Sequence, residues 1–185
     1  MPRYTLITPT LCRSSLAKTC QSVESQTSKD WEHIVIVDGV KGEVPTHPQR
    51  HVIHCERRHD NYGNTCRHNA WRCAAGEYVY YLDDDNFLAH PGALRSLDSV
   101  TADFALIPIL RYGSRFYNDP PRVNYTDTGN LLVRMPLAQW PDRPDGSRDG
   151  TVDGQFAEAL AKKYKYQALP GLRPVMVLPE SNGGR

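Results

Sequence analysis

Short apolar runs separated by polar turns fill the first half of the chain. Four of them predict strands, namely Tyr4–Thr8 (YTLIT), Trp31–Val37 (WEHIVIV), Val52–Cys55 (VIHC) and Glu77–Leu82 (EYVYYL). Pro9 is expected to end the first of these strands. Between the runs, apolar residues recur at helical spacing over Leu16–Ser25 and Gly63–Ala75. The alternation predicts βαβ crossovers and therefore an α/β fold, with a mostly parallel central sheet flanked by helices.

The second half of the chain has a weaker pattern, with more proline and glycine. Its predicted strands are Asp103–Leu110, interrupted by Pro108, together with Asn130–Arg134 and Pro174–Leu178. Its predicted helices are Ala93–Val100 and Phe156–Tyr164. Two loops are predicted, the aromatic stretch Arg111–Tyr125 and the polar stretch Trp140–Gly150. We expect a single domain over residues 1–180 and a flexible tail over 181–185.

The composition is that of a folded and nearly neutral protein. The 22 Lys and Arg residues almost cancel the 21 Asp and Glu residues, which gives a net charge of +1 and argues against a nucleic-acid partner. No run approaches the roughly 18 apolar residues of a membrane span, and the N-terminal run is too short for a signal-peptide core. The five cysteines include no C-x-x-C pair, which favours reduced thiols. A cytoplasmic protein without a membrane span is therefore expected.

One group of residues has the composition of a metal site. It comprises His51, His54, Cys55 and His59, which fall in a predicted strand that runs into a basic loop. Structural zinc sites use two well-defined ligand pairs, which this spacing does not provide. The solvated edge of a strand is the favoured interpretation.

Carboxylates follow two of the predicted strands directly. Asp38 comes after IVIV, and the triplet Asp83–Asp85 comes after YVYYL. Ligands bind beyond the carboxyl ends of strands in open parallel sheets, so these groups are expected at one edge. Three adjacent carboxylates repel one another and are tolerated chiefly where a cation neutralises them, and oxygen ligands suit Mg²⁺ or Mn²⁺. The alternative is that both segments form only solvated turns.

These residues resemble a known family, the family 2 glycosyltransferases of GT-A fold. The resemblance covers about residues 4 to 160. It begins with Thr8-Pro9-Thr10, Arg13 and Leu16, and continues through WEHIVIV to Asp38-Gly39. The segment with Arg67 and Asn69, leading to Gly76-Glu77-Tyr78 and Tyr81-Leu82-Asp83-Asp84-Asp85-Asn86, is similar to the family's approach to its metal-binding D-x-D motif.

The resemblance implies roles for particular residues. Residues expected to bind the nucleotide-sugar are Thr8, Pro9, Thr10, Arg13, Asp38, Arg67, Asp83, Asp84, Gly129 and Asn130. Among them, Pro9, Thr10 and Asp38 would surround the base and ribose, usually of uridine. Asp85 would be the direct ligand of Mn²⁺ or Mg²⁺, with Asp83 as a further metal ligand. Residues 1–86 would form a nucleotide-binding half, and residues 87–180 an acceptor-side half.

The family's catalytic base is expected just before the last predicted helix. The segment Val152-Asp153-Gly154-Gln155-Phe156 resembles it, which makes Asp153 the candidate general base. Asp153 has an alternative role as an N-cap of that helix. The further candidates for the base, all in the preceding loop, are Asp149, Asp145 and Asp142.

The implied activity is metal-dependent, inverting hexosyl transfer from a nucleotide-diphosphosugar, a UDP-sugar by expectation, to a saccharide, lipid-linked or other hydroxyl acceptor. A homo-oligomer is a further expectation. Two alternatives stay open at this point: a non-catalytic nucleotide- or carbohydrate-binding module, and a sugar nucleotidyltransferase. The second is disfavoured because Thr8–Ser15 contains no glycine for a phosphate loop. The sequence also departs from the family pattern, since Gly39-Val40 follows Asp38 and no histidine follows His90.

Overall fold

A computed structural model describes residues 1–179 of the chain, so the tail predicted over 181–185 lies outside the described residues. The helices are α1 (Leu16–Glu24), α2 (Asn64–Ala70) and α3 (Val152–Lys163). The strands are β1 (Tyr4–Thr10), β2 (Trp31–Val37), β3 (Arg50–His54), β4 (Tyr78–Tyr81), β5 (Phe87–Leu88), β6 (Phe104–Leu106), β7 (Ile109–Arg111), β8 (Ser114–Phe116), β9 (Leu131–Arg134), β10 (Tyr166–Ala168) and β11 (Met176–Leu178). The predicted α/β class is confirmed.

The main sheet has seven strands in the order β10-β6-β9-β4-β1-β2-β3. Strands β1 to β4 run parallel to one another, and β6 and β10 run in the same direction. Strand β9 is antiparallel to both of its neighbours. The sheet is therefore mostly parallel, as predicted, and β9 enters at the edge where β1, β2 and β4 end.

Both faces of the central part of this sheet are covered, which explains why β1, β2 and β4 are buried along their whole length. Along β4, Tyr78 and Tyr80 pack on one face and Val79 and Tyr81 on the other. Helix α3 lies on the second face through residues such as Phe156. Within the described part of the chain, no helix has the length and apolar character needed to cross a membrane.

One of the two predicted effects of proline on the strands is wrong, and the other is confirmed. Strand β1 continues through Pro9 to Thr10, so the prediction that Pro9 ends the strand is wrong. Pairing between β1 and β4 stops at Ile7, so the missing N–H of Pro9 removes no bond from that ladder. Pro108, in contrast, divides the strand predicted over Asp103–Leu110 into β6 and β7, which belong to different sheets.

The second sheet has four strands in the order β5-β11-β7-β8. It brings a hairpin of β7 and β8 into the aromatic stretch predicted to be irregular. The helix predicted over Ala93–Val100 is wrong, because only Arg95–Leu97 forms a short 3₁₀ turn. Ala93, Leu94 and Leu97 are fully buried in the core, which accounts for an apolar spacing that resembles a helix. Strand β10 was not predicted.

Candidate functional site

The site lies at the edge where β1, β2 and β4 end. Asp38 follows β2, and its backbone N–H donates to the Thr10 carbonyl at 2.9 Å, so the ends of β1 and β2 stay together. The acidic triplet follows β4 after Leu82, whose N–H donates to the Ile7 carbonyl. Residues beyond the last hydrogen bond between the strands lie in loops, where their side chains can contact a ligand. Polar residues are therefore concentrated at this edge.

Asp84 is held in place by the turn after β1. Its carboxylate accepts hydrogen bonds from the Thr10 hydroxyl at 2.6 Å and the Leu11 N–H at 3.4 Å. Arg13 contributes a contact at 3.5 Å. The carboxylate is almost fully buried and its bonding capacity is largely used within the protein. Asp84 therefore holds the loop that follows β4 against the turn that follows β1.

Asp83 and Asp85 keep oxygen atoms available to solvent. Their side chains are 31% and 46% exposed. Arg13 approaches Asp85 at 3.3 Å, and Asp83 pairs with Arg67. Burial and the neighbouring Asp83 and Asp84 carboxylates raise the pKa of Asp85 to about 6. The triplet therefore carries negative charge that Arg13 offsets only in part.

Arg67 is a buried cation under this cluster. It projects from α2 and donates to the Tyr62 carbonyl at 2.7 Å as well as to Asp83. Its guanidinium lies 5.3 Å from the centre of the Trp140 ring. Within residues 1–179, the Arg67 Nε has no hydrogen-bond partner. Burial disfavours the charge, but the pKa of Arg67 is raised overall because Asp83 and Asp153 lie nearby.

Asp153 and Asp127 complete the acidic cluster from the other half of the chain. Burial raises the pKa of Asp153 to about 6, with the charges of Asp127 and Asp83 adding to the effect. Asp153 is the second residue of α3, where Thr151 occupies the N-cap position. The alternative role of Asp153 as the N-cap is therefore wrong. Among the residues that the structure describes, its carboxylate accepts only the adjacent Gly154 N–H, at 2.9 Å.

Asp127 was missed by the sequence reasoning. It accepts from the Gly129 N–H at 3.0 Å and caps the short turn Thr128–Asn130 that leads into β9. Burial raises the pKa of its carboxyl group, and the charge of Asp83 contributes. Its position directly before the Thr128-Gly129-Asn130 motif is the signal that could have identified it.

Three of the expected donor-binding residues use their polar groups inside the protein. The Thr8 hydroxyl is fully buried and bonded to the His33 ring at 2.9 Å. The Asn130 amide donates to the Ile107 carbonyl at 2.8 Å, and the Gly129 carbonyl accepts the Tyr80 hydroxyl at 2.8 Å. A side chain at Gly129 would collide with Met176. Pro9, also in this set, packs against Gly63.

The acidic residues of the loop over 142–149 are bonded to side chains outside the loop. Asp145 bonds the His59 ring at 2.7 Å and pairs with Arg57 at 3.0 Å. Asp142 accepts the Thr65 hydroxyl at 3.1 Å. Asp149 accepts from Thr151, which lowers the pKa of Asp149. The pKa values of Asp145 and Asp149 are thus lowered, whereas that of Asp153 is raised.

The donor set suits a hard divalent cation. Five carboxylates, those of Asp83, Asp84, Asp85, Asp127 and Asp153, share this edge with the guanidinium groups of Arg13 and Arg67. Asp83 and Asp85 offer solvent-facing oxygen atoms, and Mg²⁺ and Mn²⁺ prefer such ligands. The residues present therefore fit a magnesium or manganese ion.

Comparison with known proteins identifies the class. The sequence profile described as Glycosyl transferase family 2 matches residues 5–144, which is most of the chain. The chain belongs to glycosyl transferase family 2. The resemblance seen in the sequence is thereby confirmed. No curated protein sequence matches the chain.

Solved structures show the same fold at low sequence identity. Staphylococcus aureus TarS 1–349 superposes with a TM-score of 0.74 at 17% identity, over 97% of this chain and 60% of that one. Its complex with UDP-GlcNAc gives 0.74 at 15% identity, over 100% and 60%. The mannosyltransferase PcManGT from Pyrobaculum calidifontis, in complex with GDP-Man and Mn²⁺, gives 0.67 at 18%, over 98% and 58%. The expected GT-A fold is confirmed, and the chain spans about 60% of the TarS chain it matches.

Proposed function

We propose that this chain transfers a sugar from a nucleotide-diphosphosugar, a UDP-sugar by preference, to an acceptor hydroxyl with inversion at the anomeric carbon. The observation that carries the proposal is the acidic cluster at the carboxyl edge of the sheet. There, Asp83 and Asp85 keep solvent-exposed oxygen atoms. The negative charge of Asp83 contributes to the raised pKa of Asp153. The UDP-GlcNAc and GDP-Man complexes of TarS and PcManGT support a nucleotide-sugar as the donor.

The nucleotide would bind along the ends of β1 and β2. Asp38 would accept a hydrogen bond from the base, with Pro9 and Thr10 beside the base and ribose. Arg67 would lie near the base or diphosphate, and Arg13 near the phosphates. Asp84 would face the ribose or donor sugar, while Thr8, Gly129 and Asn130 would support the pocket walls rather than reach the ligand, because their polar groups are engaged internally.

Asp85 and Asp83 would hold Mg²⁺ or Mn²⁺. When bound there, the ion supplies a positive charge that stabilises the leaving diphosphate. The Mn²⁺ in the PcManGT complex supports this choice. Arg13 lies within 3.5 Å of both Asp84 and Asp85, so it would keep these carboxylates oriented toward the same ligand.

Asp153 would be the general base. The acceptor oxygen forms a bond to the anomeric carbon, the bond from that carbon to the diphosphate oxygen breaks, and the hydroxyl proton passes to the Asp153 carboxylate. A raised pKa makes a carboxylate a stronger base, yet one with a pKa of about 6 is still mostly ionised near pH 7.5. Attack from the side opposite the leaving group gives inversion.

The division of the chain, the acceptor, the cellular location and the oligomeric state are also part of the proposal. The expected division into a donor half over 1–86 and an acceptor half over 87–180 agrees with the placement of Asp127 and Asp153. The acceptor would be a saccharide, lipid-linked or other hydroxyl compound. A cytoplasmic location and a possible homo-oligomer complete the proposal.

Two variants test the proposal, because one should lose both nucleotide binding and transfer and the other should lose transfer alone. Asp85→Ala should weaken both UDP binding and sugar transfer, because it removes a metal ligand. Asp153→Asn should keep metal-dependent UDP binding and lower transfer by about 10²–10⁴-fold, since the amide cannot accept the proton. Binding is measured by isothermal titration with Mn²⁺ or EDTA, and turnover by release of UDP from a panel of UDP-sugars and acceptors.

The outcomes separate the alternatives. Equal UDP affinity with Mn²⁺ and with EDTA would contradict the metal site. Near-normal transfer by a folded Asp153→Asn protein would reject Asp153 as the base. Tight nucleotide binding without turnover on any sugar donor would favour the non-catalytic binding module.

A further inference from the structure

A second potential metal site lies beside the acidic cluster, with different ligand chemistry. The ligand atoms of Asp38, Cys55 and His59 all lie within 4.8 Å of one another. The Cys66 sulfur lies 3.9 Å from the Cys55 sulfur. One carboxylate, one imidazole and one thiol therefore converge at the end of β2, and the Cys66 thiol adjoins Cys55 outside that group.

The fold brings these residues together from three elements. Asp38 follows β2, and Cys55 follows β3, where its N–H donates to the Val37 carbonyl at 2.9 Å. Cys66 lies in α2 and is fully buried. The His59 N–H donates to Asp38 at 3.0 Å, so the basic loop folds back over the strand end.

Gly39 permits this close approach. Its φ is +61°, and an added Cβ would lie 2.0 Å from the backbone nitrogen of Arg58. The loop that carries His59 can therefore rest directly on the turn after Asp38 only because residue 39 lacks a side chain. The Gly39 that departs from the family pattern is thus part of the arrangement.

We propose that Asp38, Cys55 and His59 form a site for a thiophilic divalent cation, with Zn²⁺ as the favoured ion and Cys66 as the fourth ligand once its side chain turns toward the ion. Zn–S bonds of about 2.3 Å in a tetrahedral site place two sulfurs roughly 3.8 Å apart. The Cys55 and Cys66 sulfurs, 3.9 Å apart, already lie near this separation. Thiolates select Zn²⁺ over Mg²⁺, so this site and the oxygen-only triplet would bind different ions.

The surroundings of His59 add a second feature of metal sites. Its Nδ1 bonds the Asp145 carboxylate at 2.7 Å, so Nε2 would be the nitrogen that binds the ion. Zinc-binding histidines commonly have such a carboxylate partner, which fixes the ring and increases its basicity. The His59 side chain is only 13% exposed, so its orientation is already fixed.

The position also implies a function for the ion, a step that rests on the proposed function. Asp38 is the residue assigned to the nucleotide base, and a cation bound to its carboxylate would compete with that contact. Zn²⁺ would therefore inhibit nucleotide binding, in contrast to the ion at Asp83 and Asp85, which would promote it. The four-ligand site itself is independent of the glycosyltransferase assignment.

Cobalt spectroscopy tests the site directly. The reduced, chelator-treated full chain is titrated with Co²⁺ and then with Zn²⁺. We expect one equivalent of Co²⁺ with a thiolate charge-transfer band and the intense visible bands of tetrahedral coordination, which Zn²⁺ then removes. Cys55→Ser and His59→Gln should each weaken Zn²⁺ binding at least a hundredfold. Cys73→Ser is the matched control because Cys73 is exposed and outside the cluster.

Other results would overturn the site. Weak visible bands without thiolate charge transfer would indicate oxygen ligands only. Equal Zn²⁺ affinity of the wild type and of both cluster variants, each shown to be folded by thermal unfolding, would also exclude it. Neither result bears on whether the acidic triplet binds Mg²⁺ and UDP.

UDP titration at saturating Mg²⁺ tests the competition. One equivalent of Zn²⁺ should weaken UDP binding at least tenfold in the wild type and in Cys73→Ser, but not in Cys55→Ser. Unchanged UDP affinity in the zinc-loaded wild type would overturn the inhibition. Failure to bind UDP in the absence of Zn²⁺ would instead contradict the proposed function, and the cobalt spectra would still decide the site.

Discussion

Replacing Asp153 with Asn should make the protein more stable while it abolishes most transfer. Asp153 is an acid in the first turn of α3 whose pKa is raised to about 6 from an ordinary 3.8, chiefly by burial. The folded state therefore holds the proton more tightly than the unfolded chain does. This contribution to stability is complete below pH 3.8 and is lost as the pH rises through about 6.

The size of the effect follows from the two pKa values. Above both of them, the ionised carboxylate costs the folded state about 3 kcal/mol relative to the unfolded chain. Partial exposure of the side chain reduces this figure through solvent screening. The carboxylate also interacts favourably with the helix N-terminus, by about 0.3–1 kcal/mol, which Asn loses. We expect a net gain of about 1–2 kcal/mol near pH 7.5.

Thermal and urea unfolding in EDTA measure this gain. For a chain of this size, the gain corresponds to a rise of about 2–8 °C in Tm. It should shrink by about half at pH 5, where the folded wild type holds most of its proton. Asp149→Asn is the control, because hydrogen bonds from Thr151 lower the pKa of Asp149 and its replacement should give no gain.

Two results would refute this reasoning. The first is an Asp153→Asn protein no more stable than the wild type at pH 7.5. The second is an equal gain at pH 5 and pH 7.5, because a titrating carboxylate cannot produce it. Either result would mean that burial does not destabilise the ionised Asp153 carboxylate in the folded protein. Asp153 would then not be a base whose pKa is raised by its surroundings.

Four further predictions concern nucleotide binding, pH and folding. Asp85→Ala should weaken UDP binding at least tenfold and remove its response to Mn²⁺ in isothermal titration; a retained response would contradict the ligand assignment. Asp38→Ala should weaken UDP binding by about ten- to a hundredfold while keeping the metal response, as expected for one lost hydrogen bond. Turnover at saturating substrate should rise about tenfold per pH unit below pH 6 and level off above it, as Asp153 ionises; a flat profile from pH 5 to 8 would exclude this. Gly39→Ala should lower stability by about 2 kcal/mol or more in urea unfolding, since its Cβ would meet the Arg57–Arg58 backbone, and an unchanged midpoint would contradict the close packing.

Local chemistry in the sequence determined the central strands and indicated the main candidate site residues. Trp31–Val37 forms β2 over the predicted range, because a strand buried on both faces requires a continuous apolar run. Asp38 and Asp83–Asp85 could be selected because a parallel sheet presents its carboxyl ends at one edge. These inferences need only the period of the pattern and the direction of the strands.

Tertiary structure decided features that depend on distant neighbours. Ala93–Val100 has helical spacing, but the core requires only that its apolar residues be buried, so a short turn suffices. Pro9 stays within β1 because the ladder to β4 has already ended there, while the pairing with β2 continues to Thr10. In each case the same local sequence is compatible with more than one backbone, and long-range packing selects between them.

The two candidate sites show most clearly that the sequence alone does not determine which residues lie together. Asp127 joins Asp153 and Asp83 because the antiparallel β9 begins at the edge where β4 ends. His51 and His54 lie exposed on the edge strand, as expected, whereas Cys55 and His59 turn inward to Asp38 over Gly39. Sequence spacing identifies which residues can carry charge or bind metal. The distances among them depend on strand direction and on where one backbone can approach another, which the whole packed chain determines.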